Sequence, residues 1–196
     1  MKKEIVFATN NKKKLEEISL LLEKEWKILS LSDLNFHDEI DETGKTFHEN
    51  ASIKARIIAD NFGINCFADD SGLVVSALNG EPGIYSGRYA GEPRSDLRNN
   101  ELLLKKLETA KNRSAYFTTC ICLVTKEKEY FFEGTINGEI LTRPTGNSGF
   151  GYDPVFKPEG FDISFAQMNI EQKNKISHRA IAVNKLVDFL KSGQYK

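Results

Sequence analysis

Glu4-Ile5-Val6-Phe7-Ala8-Thr9-Asn10-Asn11-Lys12-Lys13-Lys14-Leu15 opens the chain with a change of period. Glu4 to Ala8 is a short apolar run of buried-strand type. After the polar Thr9-Asn10-Asn11, Leu15, Ile18, Leu21 and Leu22 recur at helical spacing on one face. A strand that passes directly into an amphipathic helix is the first half of an α/β unit, and Trp26 to Leu31 reads as the next strand. The pattern returns downstream. Thr46 N-caps a helix, Glu49 completes a capping box three residues on, and Ile53, Ile57 and Ile58 form its apolar face before Gly63 ends it. Asn65 to Ala68 reads as a strand stopping at Asp69-Asp70-Ser71-Gly72, with a further short strand over Leu73 to Ser76.

The segment Asn79 to Gly91 is loop-like, and a helix is expected over Asp96 to Leu107. Ala115 to Val124 and Glu129 to Leu141 form two β-rich runs across the charged Lys126-Glu127-Lys128, a hairpin signal. A short apolar run follows Gly149 to Pro154, and the last helix spans His178 to Leu190. With no repeat, low-complexity tract or linker, the expectation is one α/β domain over residues 1–196.

Bulk properties narrow the function. The 196 residues are 40% hydrophobic and 28% charged, which excludes a disordered chain. A net charge of −1 gives no basic field for nucleic acid, so a small anion would need a locally built site. No apolar run approaches the roughly 20 residues that span a bilayer, and the N-terminal apolar run is too short for a signal peptide. Cys66, Cys120 and Cys122 lie in apolar, strand-like surroundings without metal-ligand spacing, so they read as reduced structural thiols of a cytosolic protein.

Five segments carry chemistry. Thr9-x-Asn11-x-x-Lys14 stands at a strand-to-helix junction, where free N–H groups and added donors suit an anion. Three consecutive lysines in a first turn oppose the helix dipole, and a bound phosphate reverses that sign. Asp69-Asp70 places adjacent carboxylates that repel unless a cation relieves them. Hard oxygen donors near phosphate suit Mg²⁺. Consecutive strand residues point to opposite faces, so a single site requires a turn at Ser71-Gly72; the alternative is an Asp-rich turn capping backbone N–H groups. The acidic loop Asp38 to Glu42 offers a further carboxylate. Lys54 shares a helix face with Asn50 but reads as a surface lysine. In Gly149-Phe150-Gly151-Tyr152-Asp153-Pro154, aromatics between glycines let a flat ligand approach and stack, or pack inward as an ordinary turn. Ser177-His178-Arg179 sets two donors at a helix start behind a plausible cap.

Phe7 to Lys14, Thr46 to Ala51, Ala68 to Leu73, Pro82-Gly-Ile-Tyr-Ser86, Gly149 to Pro154 and Ser177 to Arg179 together resemble the inosine triphosphate pyrophosphatase (Ham1-like) family. The segments occur in family order across almost the whole chain, and the last two argue against a Maf-type relative. The resemblance implies a long, twisted mixed β-sheet flanked by helices, two lobes with a central nucleotide cleft, a homodimer and Mg²⁺ dependence. It implies a nucleotide substrate, with neither nucleic acid nor membrane as partner.

By the same resemblance, Thr9, Asn10, Asn11, Lys12, Lys13 and Lys14 hold the triphosphate. Asp70 binds the metal and accepts the proton of the attacking water, and Ser71 touches substrate. Phe150, Gly151, Tyr152 and Asp153 clasp base and sugar, while Lys173, His178 and Arg179 complete the base and phosphate contacts. The second metal carboxylate falls on Glu42, with Asp41 one residue away. Asn10, Lys13 and Ala180 stand where the family commonly has glycine.

Overall fold

The computed structural model describes residues 3–22, 26–126 and 128–195. Six strands, β1 (Lys3–Phe7), β2 (Trp26–Leu29), β3 (Cys66–Val75), β4 (Ser114–Val124), β5 (Glu129–Ile140) and β6 (Phe156–Pro158), lie in the order β2-β1-β3-β4-β5-β6. β1 runs parallel to β2 and β3, whereas β5 and β6 are antiparallel, so the sheet is mixed. Its helices are α1 (Lys12–Leu22), α2 (Phe47–Phe62), α3 (Asp96–Lys106), α4 (Ile170–Ile176) and α5 (His178–Ser192). This is the α/β class that the alternation of periods implies. Among the described residues no helix is long and apolar enough to cross a membrane.

The chain divides into two compact units. The first comprises Met1–Asp70, Thr119–Gly134 and Arg179–Lys196; the second comprises Ser71–Thr118 and Thr135–His178.

In the first unit the period of two along each strand sorts side chains into two cores. Ile5, Phe7, Phe67, Ile121 and Leu123 pack with Ile18 and Leu22 of α1 and with Ala182, Val183 and Leu186 of α5. Val6, Ala8, Cys66, Ala68, Cys120 and Cys122 pack with Ala51, Ala55 and Ile58 of α2. All three cysteines are buried and free. Burial pushes the Cys120 and Cys122 thiols up to about 12, as structural thiols require. In the second unit Phe117, Phe156 and Phe165 form an aromatic centre with Leu73, Val75, Leu103 and Leu107.

Two local expectations change. Asp69-Asp70-Ser71-Gly72 is no turn: it lies inside β3, whose ten residues are nearly all buried. Burial of the apolar flank and side-chain partners for both acids override the turn propensity of the four residues. The second change is α4, unforeseen although Asn169 and Gln172 form a capping box legible in the sequence. At α2 the Thr46 side chain accepts from the Glu49 N–H, and Glu49 reaches back to the N–H of Lys45, one residue before the cap. Glu127 of the hairpin turn lies outside the described residues.

Candidate active site

Consecutive positions in β3 send Asp69 and Asp70 to opposite faces, and each meets its own basic partners. Asp69, on the α1/α5 face, accepts from Lys14 Nζ at 3.0 Å through Oδ1 and 2.9 Å through Oδ2. Arg179 Nε lies 3.5 Å from the same Oδ2. The Arg179 guanidinium also pairs with the buried Glu17 of α1. Asp70, on the α2 face, accepts from Asn50 Nδ2 at 3.1 Å through Oδ2, and Lys54 Nζ stands 3.6 Å from Oδ1. Asn50 and Lys54 are one helical turn apart, so α2 presents both on one face. Lys54 also donates to Glu42 Oε1 at 2.5 Å. The acidic loop therefore delivers Glu42 to the cation that Asp70 faces, while Asp41 is exposed.

Electrostatics follow from burial. Desolvation raises the Asp70 pKa; Lys54 and Lys14 oppose the rise, and Glu42 adds to it. For Lys54, desolvation alone would lower the pKa, but Asp70, Glu42 and Asp69 together hold the ammonium above its usual value. Lys14 goes the other way, because its desolvation outweighs Asp69.

The α1 entrance is built by its own polar residues. Thr9 Oγ1 accepts from the Asn11 N–H at 3.2 Å. Asn11 Oδ1 accepts from the N–H groups of Lys13 and Lys14 at 3.0 and 3.2 Å, capping the helix. Asn10, Lys12 and Lys13 are exposed beside it. Among the described residues only Asn35 and Asn79 are non-glycine positions with positive φ, so Asn10 and Lys13 need no glycine-type backbone.

The donor set of this unit fits a hard divalent cation. Two carboxylates, Glu42 and Asp70, converge on one ammonium, marking a place where positive charge is already favoured. On the α2 face the two carboxylates Glu42 and Asp70 outnumber the single ammonium of Lys54, so that group is formally anionic and would repel a polyphosphate unaided. A divalent ion between Glu42 and Asp70 would reverse that sign.

The second unit arranges the glycine-aromatic segment. Asp153 Oδ2 accepts from the Phe150 N–H at 2.9 Å and from Lys173 Nζ at 2.6 Å. The Lys173 ammonium, almost wholly buried, sits 4.8 Å from the centre of the half-buried Phe150 ring, a cation–π contact. Tyr152 is buried and donates its hydroxyl to the Ser86 carbonyl at 2.9 Å, which gives it a supporting place under the segment. Ser86, from the Pro82-Gly-Ile-Tyr-Ser86 motif, accepts from the Leu73 N–H and donates to the Gly83 carbonyl. Ser71 is half-buried in β3. His178 is buried, its ring stacked on Phe117 at 4.7 Å and 8°.

The structure thus collects Thr9, Asn11, Lys14, Glu42, Asp70 and Arg179 in the first unit, and Phe150 to Asp153, Lys173 and His178 in the second. Lys54, expected as a surface lysine, is instead largely shielded between Glu42 and Asp70, and Glu17, Asn50 and Asp69 had no assigned role in the sequence. Their signal was positional: Asn50 and Lys54 share a helix face, and Asp69 must face away from Asp70.

Comparison with known proteins matches residues 5–189 to the Ham1 family. A protein of Flavobacterium johnsoniae named dITP/XTP pyrophosphatase is 51% identical over 186 residues, covering 95% of this chain and 97% of its own. Its namesake in Flavobacterium psychrophilum is 48% identical over 189 residues, covering 96% and 100%. Among solved structures, the Staphylococcus aureus Ham1 protein superposes with a TM-score of 0.89 at 43% identity, covering 98% of this chain and 100% of its own. A HAM1 protein from Coxiella burnetii gives 0.89 at 40% identity, covering 97% and 99%.

Proposed function

This chain belongs to the Ham1 family, and on that premise we propose that it hydrolyses non-standard purine nucleoside triphosphates (ITP, dITP and XTP) to the monophosphate and pyrophosphate. The observation carrying the reading is the convergence of Glu42 and Asp70 on Lys54 in an otherwise anionic, largely buried cluster.

In this reading Asp70 accepts the proton of the water that attacks the α-phosphorus, and pyrophosphate departs. Burial favours this role, because a carboxylate with raised proton affinity is the better base near neutral pH. Asn50 holds one Asp70 oxygen and so fixes the orientation of the other. Thr9, Asn10, Asn11 and the lysines Lys12 to Lys14 meet the phosphates, and Ser71 touches substrate beside Asp70. Mg²⁺ held by Glu42 and Asp70 would neutralise phosphate charge.

Base recognition falls to Phe150, Gly151, Tyr152, Asp153, Lys173, His178 and Arg179. Hypoxanthine and xanthine carry a 6-oxo acceptor, for which His178 and Arg179 at the start of α5 are donors; adenine presents a 6-amino donor instead. A site left with unpaired buried donors discriminates by orders of magnitude. The single-domain reading of residues 1–196, homodimeric assembly and a cytoplasmic setting belong to the same proposal, supported by the sequence resemblance and the reduced thiols.

The deciding measurement is pyrophosphate release from ITP, XTP, dUTP, ATP and GTP with Mg²⁺. Release from ITP and XTP well above ATP is expected. Equal rates on ITP and ATP would remove the specificity, and no pyrophosphate from any triphosphate would remove the activity.

A further inference from the structure

Helix α3 holds both peptide planes that flank Gly151. Asp96 Oδ2 accepts from the Gly151 N–H at 2.7 Å. One helical turn later, Asn100 Nδ2 donates to the Gly151 carbonyl at 2.9 Å. The first bond fixes the Phe150–Gly151 peptide and the second fixes the Gly151–Tyr152 peptide. Gly151 has φ +59°, and glycine samples either hand at little cost, so nothing within the residue itself fixes these planes. The helix is itself anchored in this unit. Ser95 caps it, and Asn99 accepts from the Ala90 N–H and donates to the carbonyls of Ser86 and Gly87.

Asn100 is a costly way to achieve this if its purpose were stability. The residue is buried at 5% exposure, and its Oδ1 has no hydrogen-bond partner among the described residues. A buried acceptor left unsatisfied costs about 1–3 kcal/mol, and an apolar residue of similar shape avoids that cost. What the asparagine gains is the bond to Gly151.

We infer that Asp96 and Asn100 are positioning residues that set the Phe150–Tyr152 segment for the nucleobase. The inference rests on the reading above, in which that segment clasps the base. Asp153 restrains the Phe150 N–H from the other end, so the ring over Lys173 is held on both sides. Neither α3 residue meets substrate; both act through Gly151.

The test uses the full chain carrying Asn100→Leu, with Leu97→Ala as a control on an exposed face of the same helix. Three readouts are taken: thermal midpoint, amide hydrogen exchange over residues 149–153, and steady-state kinetics on ITP with Mg²⁺. Asn100→Leu is expected to match or exceed the wild-type midpoint, to exchange faster over 149–153, and to raise KM for ITP about tenfold, the scale of one hydrogen bond. Leu97→Ala is expected to leave exchange and KM unchanged. Unchanged exchange in Asn100→Leu overturns the clamp whether or not the protein acts on ITP. Faster exchange with an unchanged KM overturns its role in base positioning. A wild-type protein that releases no pyrophosphate from ITP refutes the substrate reading instead, and the exchange result still decides the clamp.

Discussion

Lys54 Nζ lies 2.5 Å from Glu42 Oε1, which joins the middle of α2 to the acidic loop twelve residues before it. The same ammonium is 3.6 Å from Asp70 Oδ1. The three side chains are largely shielded, so Lys54→Met leaves two carboxylates facing one another without the ammonium that bridges them. The expected loss is about 2–3 kcal/mol in metal-free buffer, below the full cost of breaking a deeply buried pair because Glu42 keeps some solvent contact. Added Mg²⁺ should restore most of it, since the ion replaces the missing charge. Thermal midpoints with and without Mg²⁺ decide the matter; a variant equally destabilised in both would show that Glu42 and Asp70 do not share a cation site.

Lys54 also shows where sequence reading stops. Its helix, cap and shared face with Asn50 were legible, because hydrophobic period and capping are local signals. Its partner Glu42 lies across an irregular loop, and no pattern encodes the path of such a loop. Glu17 and Arg179, paired across most of the chain, were hidden for the same reason. Asp69-Asp70-Ser71-Gly72 failed differently: local turn chemistry was read correctly, but tertiary burial won. By contrast, the succession of β1, α1, β2 and α2 followed directly from the alternation of periods in residues 4–63.

Asp70 carries a pH signature of known sign. Desolvation raises its pKa above 3.8 in the folded protein, so the ionised form is penalised on folding. That penalty is present above the folded pKa and is relieved as pH falls through it. Asp70→Asn should therefore fold with stability at or above wild type at neutral pH, while turnover on ITP falls by about 10²–10⁴-fold. A carboxyl-carbon NMR titration of the metal-free protein should place Asp70 above the ordinary aspartate range, and higher again in Lys54→Met, which removes a cation that lowers it. Near-normal turnover in Asp70→Asn would exclude it as the base.

The Glu17–Arg179 pair is buried on both sides, with side-chain exposures of 6% and 3%. Glu17→Gln leaves the guanidinium short of a counter-charge and should cost about 3–5 kcal/mol. Because Arg179 also approaches Asp69, the displaced guanidinium should disturb Lys14 and weaken ITP binding. Urea midpoints and KM test the two effects separately. Unaltered stability would mean that the pair adds nothing beyond its own desolvation.

His178 stacks on Phe117 with ring planes only 8° apart, so its orientation is fixed by packing. His178→Ala should reduce kcat/KM on ITP while changing the slow rate on ATP little, which collapses the ratio of the two. His178→Phe keeps the stacked ring but has no donor. If that variant preserves the ITP-over-ATP ratio, the imidazole does not read the 6-oxo group.

Gly149 and Gly151 both have positive φ, yet their surroundings differ, and this separates steric from conformational cost. A Cβ on Gly149 would overlap Asp153 Oδ2, the oxygen shared by the Phe150 N–H and Lys173. A Cβ on Gly151 meets nothing within 4 Å. Gly151→Ala should therefore cost only the left-handed backbone penalty, about 1–2 kcal/mol. Gly149→Ala incurs that penalty and also displaces Asp153, so Lys173 loses its counter-ion while buried, a break that costs about 3–5 kcal/mol by itself. Denaturation midpoints should rank wild type above Gly151→Ala and Gly151→Ala above Gly149→Ala. Methionine in place of Lys173 should lessen the cost of Gly149→Ala, because the charge that would be stranded is gone. Equal losses for the two alanine variants, or no relief from Lys173→Met, would show that Asp153 is not held where its shared oxygen implies.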